Sequence, residues 1–232
     1  MEAEPPACEE APLAALTLYD PQPMTEFRNF IGQSFQGATS GRWMDVYEPA
    51  TGEVYARLAN SGIDDVNSAV ASAQSAFPKW SALPSEKRSI LLNRMADLIE
   101  SRAAEFAEAE SRDSGKPISL ASSIDIPRAI SNFRFFASAA SQFSSESHAM
   151  GDHAINYTLR KPLGVVACIS PWNLPLYLLT WKIAPALACG NTVVSKPSEI
   201  TPATAALLGE IAIEAGLDPG VLNIIHGEGK TA

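Results

Sequence analysis

Cysteine is scarce in this chain of 232 residues, which has three: Cys8, Cys168 and Cys189. Their number and spacing make neither a disulfide framework nor a metal-ligand set, which fits a reducing compartment. Histidine is equally sparse, and His148, His153 and His226 are too scattered to suggest a metal site. Basic residues are missing from residues 1–23, where Glu2, Glu4, Glu9, Glu10 and Asp20 have no Lys or Arg beside them. That acidic, proline-rich start is the opposite of a signal or transit peptide. Long apolar runs are lacking too. No uncharged stretch approaches the roughly 18 residues of a membrane span, and Lys182 interrupts the best candidate. A formal net charge of −9 argues against nucleic acid as the main partner. The expectation is a soluble, cytoplasmic protein with no membrane or nucleic-acid partner.

What is present is an ordinary globular mixture, 46% hydrophobic and 19% charged, on a chain long enough to bury a real core. Residues 1–23, with prolines at 5, 6, 12, 21 and 23, read as a disordered tail. From Phe27, "FRNFIGQSFQ" and "WMDVYEPATGEVYARLA" read as short strands joined by turns. Three helical segments follow. In the first, Ser61 stands three residues before Asp64 as a capping box, and Val66, Ala69, Val70, Ala73 and Phe77 keep helical spacing. The second starts at Ser85 with a stripe of Leu91, Met95, Leu98 and Phe106. The third puts Ile126, Ile130, Phe133, Ala137 and Ala140 on one side, with Pro127 marking a kink or a fresh first turn.

After Gly151 the pattern changes to strands alternating with helices. "INYTLRKP" alternates like a strand, and "GVVACI", "NTVVSKP" and "GVLNIIHG" are apolar runs of strand length. Between the last three lie "PLYLLTWKIAPALACG" and "TPATAALLGEIAIEAG", the latter with Thr201 as N-cap, Pro202 at its first position and Gly216 beyond its end. This alternation predicts a parallel α/β sheet with right-handed crossovers. The third strand would be left as an open edge.

A parallel sheet binds ligands at the carboxyl ends of its strands. There the chain carries "ISPWN", "SKPSE" and "HGEGK". Lys196 can bond a ribose oxygen and Glu199 can accept from ribose hydroxyls, a carboxylate that would repel a 2′-phosphate; the alternative is a solvated loop pair. The Asn173 amide can donate to an oxygen gaining negative charge, with Pro171 and Pro175 stiffening the elbow; the alternative is a turn or helix-cap residue. Trp172 reads more readily as a core aromatic than as a cofactor platform. Cys168 and Cys189 read as small core residues with no cue for a depressed thiol pKa.

Taken together, "GVVACISPWNLPLYLLTWKIAPALACGNTVVSKPSE" resembles the aldehyde dehydrogenase superfamily, and the likeness runs from about Phe30 to the last residue. "DIPRAISNFRFFA" with "PWNLPLYLLTWKIAPA" resembles the branch that oxidises 2-aminomuconic semialdehyde in tryptophan degradation. The resemblance implies NAD as cofactor, an aldehyde as substrate and a homo-oligomer. It implies that Asn173 holds the substrate oxygen and that Arg128 clamps a substrate carboxylate, against the alternative of a surface helix residue. It implies that Ile169, Ser170, Pro171 and Trp172 surround the nicotinamide side, that Lys196 and Glu199 take the adenosine ribose, and that Gly229 lies close to the pyrophosphate. The implied organisation is a tail (1–23), N-terminal strands and helices of the cofactor domain (24–150), part of an oligomerisation ribbon (151–162), and a βαβαβ unit with three of five parallel strands (163–232). The family's nucleophilic cysteine and water-activating glutamate lie in later segments, so the expectation is a truncated chain, inactive by itself. The alternative is a short non-catalytic protein that binds nucleotide or another subunit.

Overall fold

The computed structural model describes residues 24–231. The expected N-terminal tail lies outside the described residues. Strands β1 (Thr25–Phe27), β2 (Asn29–Ile31), β3 (Ser34–Gln36), β4 (Trp43–Glu48) and β5 (Glu53–Ala59) open the chain, as the turn chemistry predicts. Helices α1 (Ile63–Ala82), α2 (Ser85–Ser101) and α3 (Ala103–Ser114) follow, then the short α4 (Ile118–Leu120), a π turn (Ala121–Asp125) and α5 (Ile126–Ser141). A hairpin of β6 (Ser147–Met150) and β7 (Ala154–Tyr157) leads to β8 (Val165–Ile169), α6 (Pro175–Ala188), β9 (Thr192–Lys196), α7 (Ala203–Ala215) and β10 (Leu222–Ile224).

The main sheet has five strands in the order β3-β2-β10-β9-β8, and β1-β5-β4 forms a second, smaller sheet. β8, β9 and β10 are parallel, as the alternation of strands and helices predicts. The third parallel strand is not left open, however. β2 pairs antiparallel with β10, with Phe30 opposite Ile224, and covers the edge that the sequence reading left bare. Two strands some 190 residues apart in the chain meet there, a pairing that no local pattern announces.

The core lies between the sheet and α2, α5, α6 and α7, where Leu92, Met95, Ile99, Phe133, Leu176, Ile183, Leu208 and Ile211 are fully buried. Burying a side chain such as Phe133 contributes about 1.5–3 kcal/mol. Trp80 ties α1 into the same core and donates its indole N–H to the Leu187 carbonyl at 3.2 Å. On α2 the innermost stripe is Leu92, Met95, Ala96 and Ile99, with Leu91 and Leu98 only half-buried at its flank, and Phe106 belongs to α3.

Pro127 does begin a fresh helix rather than kink a continuous one. With no N–H at 127, the Ser123 carbonyl has no donor four residues on. The chain widens into the π turn, and Ile126 donates instead to Ala121, five residues back. Ile126, Ile130, Phe133 and Ala137 face the core from α5.

Three expected local features differ. The residue at the start of α1 is Gly62, whose amide donates to Asp65 at 2.9 Å, while Ser61 is buried and bonded to Asn29. At α7, Pro202 precedes the first helical residue and the Thr201 hydroxyl caps nothing; the Ala203 amide goes to Asp113 of α3. Gly216 does close α7 in the left-handed conformation, φ 82°. Cys189, expected in the core, is exposed at the end of α6, whereas Cys168 is buried in β8. Within the segment expected as a ribbon, 151–162, Ala154–Tyr157 pairs antiparallel with Ser147–Met150 as a hairpin.

Candidate functional site

Register brings the strand ends together. In the parallel pair β8–β9, Ile169 lies opposite Lys196, and in β9–β10, Ser195 lies opposite Ile224. The ladder continues one step beyond each strand: the Ser170 amide donates to the Lys196 carbonyl at 3.2 Å, and the Ile225 amide to the Ser195 carbonyl at 2.9 Å. "ISPWN", "SKPSE" and "HGEGK" therefore emerge side by side at one end of the sheet. The chemistry-bearing residues of three segments form one surface because parallel strands all present their carboxyl ends the same way.

The first loop is the elbow. Ile169 is 54% exposed and Trp172 56%, so the elbow puts two large apolar groups in solvent. Pro171 and Asn173 are exposed as well. Pro175 is the first residue of α6, where its missing N–H costs nothing, and the Leu174 carbonyl accepts the Leu178 amide to begin the helix. Trp172 is thus not a core aromatic.

The second loop holds a charged pair. Lys196 is buried and donates to Glu199 at 3.2 Å and to the Pro197 carbonyl at 3.0 Å. The Glu199 side chain keeps one third of its surface in solvent. The pair is therefore not the freely solvated one that a loop setting suggests. In the third loop, Gly227 has φ 148°, and Gly229 is exposed with nothing within 4 Å of where a Cβ would stand.

Arg128 sits on the first turn of α5, exposed, with its guanidinium 5.3 Å from the centroid of the Tyr177 ring on α6. Asn132, one turn further along α5, donates to the Tyr177 carbonyl and the Thr180 hydroxyl, both at 3.0 Å. These contacts hold the starts of α5 and α6 together, which brings Arg128 to the helix that begins just after Asn173.

Sequence reasoning did not assign Thr204, His226 or Lys116 to the site, and gave Thr201 only as a helix cap. The hydroxyls of Ser170, Thr201 and Thr204 line a narrow cleft between the elbow and α7, buried and with no partner among the described residues. His226 is fully buried and neither ring nitrogen has a partner among the described residues; burial, then the charge of Lys196, pushes its pKa down to about 3. Lys116 reaches the elbow from behind and donates to the Asn173 carbonyl at 3.3 Å. The only signal for Lys116 was its place after Gly115, a left-handed helix end, φ 71°. Burial pushes the Cys168 thiol up to about 11, away from nucleophilic character. Among the described residues, no helix is long and apolar enough to cross a membrane.

Comparison with known proteins gives the family. The aldehyde dehydrogenase family matches residues 35–232. The human 2-aminomuconic semialdehyde dehydrogenase is 53% identical over 203 residues, 87% of this chain and 41% of that protein. The 2-hydroxymuconic semialdehyde dehydrogenase of Pseudomonas sp. (strain CF600) is 49% identical over 211 residues, 89% of this chain and 43% of that protein. PnpE, solved in complex with nicotinamide adenine dinucleotide, superposes with a TM-score of 0.87 at 42% identity, covering 89% of this chain and 42% of that one. The chain thus spans about two fifths of the length of the relatives it matches. With the family matched over residues 35–232, the chain belongs to the aldehyde dehydrogenase family.

Proposed function

We propose that this chain supplies the dinucleotide-holding and oxygen-holding parts of an NAD-dependent aldehyde dehydrogenase (EC 1.2.1 type) that acts on an acidic semialdehyde, such as 2-aminomuconic semialdehyde. The observation that carries it is the register of Ile169 against Lys196, which sets the elbow bearing Asn173 beside the Lys196–Glu199 pair. The residues present fit the cofactor. Glu199 is exposed enough to accept from ribose hydroxyls while Lys196 stays buried behind it, and Gly229 leaves room for a pyrophosphate. Exposed Ile169 and Trp172, with Ser170 and Pro171 between them, offer an apolar wall for the nicotinamide end. When bound, NAD would supply the hydride acceptor.

The chain's own residues orient the substrate. Asn173 would donate to the aldehyde oxygen as negative charge develops there, and Arg128 would grip a carboxylate through two parallel hydrogen bonds. The hairpin β6–β7, with Ile155 74% exposed, supports a contact between subunits of a homo-oligomer. By itself the 232-residue chain should be inactive toward aldehydes: among the described cysteines, Cys168 is buried with a raised thiol pKa, and Cys189 stands at the far end of α6 from the elbow. The test is NADH absorbance with a semialdehyde, on this chain and on a fusion that joins it to the remaining segments of a full-length relative. Asn173→Ala should lower turnover in an active fusion on the order of 100-fold. Sustained NADH formation by the 232-residue chain would overturn the inactivity, and an unchanged rate in N173A would remove the role given to Asn173.

A further inference from the structure

Behind the elbow, three ionisable side chains from separate segments meet in the core. Glu110 of α3 and Asp125 of the π turn are buried almost completely, and Lys116 nearly so. The Lys116 ammonium lies 2.6 Å from Asp125 Oδ2 and 3.4 Å from Glu110 Oε1. Its third hydrogen bond goes to the Asn173 carbonyl at 3.3 Å. Glu110 in turn accepts the Leu176 amide through Oε2 at 3.4 Å. An ammonium has three donors, and here all three are committed.

Stability alone does not account for such a group. A buried ion pair replaced by apolar residues of similar volume is often neutral or better, because desolvation offsets the attraction. What an apolar core cannot do is hold two particular polar groups in the loop above it. The elbow needs that help. Pro171 and Pro175 have no N–H, so the loop makes few backbone bonds of its own. The cluster grips it on both sides of Pro175, through the carbonyl of Asn173 and the amide of Leu176.

We propose that Lys116, held by Glu110 and Asp125, is a positioning residue that fixes the backbone of Asn173 and so the direction in which its side-chain amide points. This rests on the reading of Asn173 as the donor to the substrate oxygen. Lys116 touches no substrate and acts through Asn173.

The test uses three variants. Lys116→Met removes the charge at similar length, Lys116→Arg keeps it, and the triple variant Glu110→Gln, Lys116→Met, Asp125→Asn leaves no lone buried charge if the single change prevents folding. Hydrogen–deuterium exchange is followed on the 232-residue chain, in a peptide spanning residues 172–178 and in one spanning β9. K116M and the triple variant should speed exchange in the first peptide roughly 100-fold, as expected when a buried ionic contact is broken locally, and leave β9 unchanged. K116R should restore most of the protection. In a catalytically active fusion, K116M should lower kcat with little change in the KM for NAD. Equal acceleration in both peptides, or none in either, would overturn the proposal. Loosening of the elbow by K116M combined with undiminished turnover in N173A would instead keep the positioning and remove the role given to Asn173.

Discussion

The Asp113 carboxylate of α3 accepts the amide of Ala203, the first residue of α7, at 2.7 Å. Its other oxygen accepts the Tyr55 hydroxyl from β5. One buried acid therefore caps α7 from another helix and ties both to the smaller sheet. Burial pushes its pKa up from 3.8 to about 7, with Glu110 adding to the rise and the two hydrogen bonds and Arg112 opposing it.

That rise has a signed consequence for stability. The folded state holds the proton more tightly than the unfolded one, so the contribution is fully present below about pH 4 and is lost as pH rises through about 7. Asp113→Asn mimics the neutral acid, with one group to donate and one to accept. Its urea midpoint relative to the natural protein should therefore improve steadily between about pH 4 and pH 8, by up to about 4 kcal/mol in unfolding free energy. A constant difference across that range would show that Asp113 does not titrate there.

His226 acts in the opposite sense. Its folded pKa of about 3 lies below the ordinary 6.5, so its contribution is present above about 6.5 and is lost as pH falls through about 3. His226→Phe removes two buried nitrogens without partners among the described residues and keeps a flat ring of similar size. Thermal unfolding near neutral pH should show a gain of about 1–3 kcal/mol, and the acid-side loss should shrink.

Gly220 turns the chain from α7 into β10 with φ 85°, and a Cβ there would stand 2.5 Å from the Ser72 carbonyl oxygen of α1. Gly220→Ala combines left-handed strain with a clash against backbone that cannot swing away. It should destabilise by about 2 kcal/mol or more, read from the denaturation midpoint.

Glu199 places a carboxylate where a ribose is proposed to bind. Glu199→Gln should improve affinity for the 2′-phosphorylated dinucleotide relative to NAD on the order of tenfold or more, measured by calorimetric titration, since a like-charge clash is removed. An unchanged ratio would detach Glu199 from the ribose.

Arg128→Lys tests the carboxylate clamp. Losing the planar fork should lower kcat/KM for a semialdehyde bearing a carboxylate on the order of tenfold and leave an uncharged aldehyde nearly unaffected, in an active fusion. Equal losses on both substrates would point to Tyr177 and the packing of α5 on α6 instead.

Sequence alone determined the elements and much of the site's vocabulary. Side-chain alternation and helical spacing depend on neighbours a few residues away, so β8, α6, β9, α7 and β10 were legible, as were the Pro171–Pro175 elbow and the Gly216 helix end. Tertiary structure alone decided which polar groups lose their water. Glu110 and Asp113 look like one solvated face of α3, yet α6 and α7 arrive over them and turn them into buried anchors. Asn29 joins Ser61 and His226, the last of them 197 residues away in the chain, and β2 closes the edge of β10 beside it. Such partnerships follow from chain segments meeting in space, and the free energy of burying a charge or an amide is set by that meeting rather than by any local run of residues.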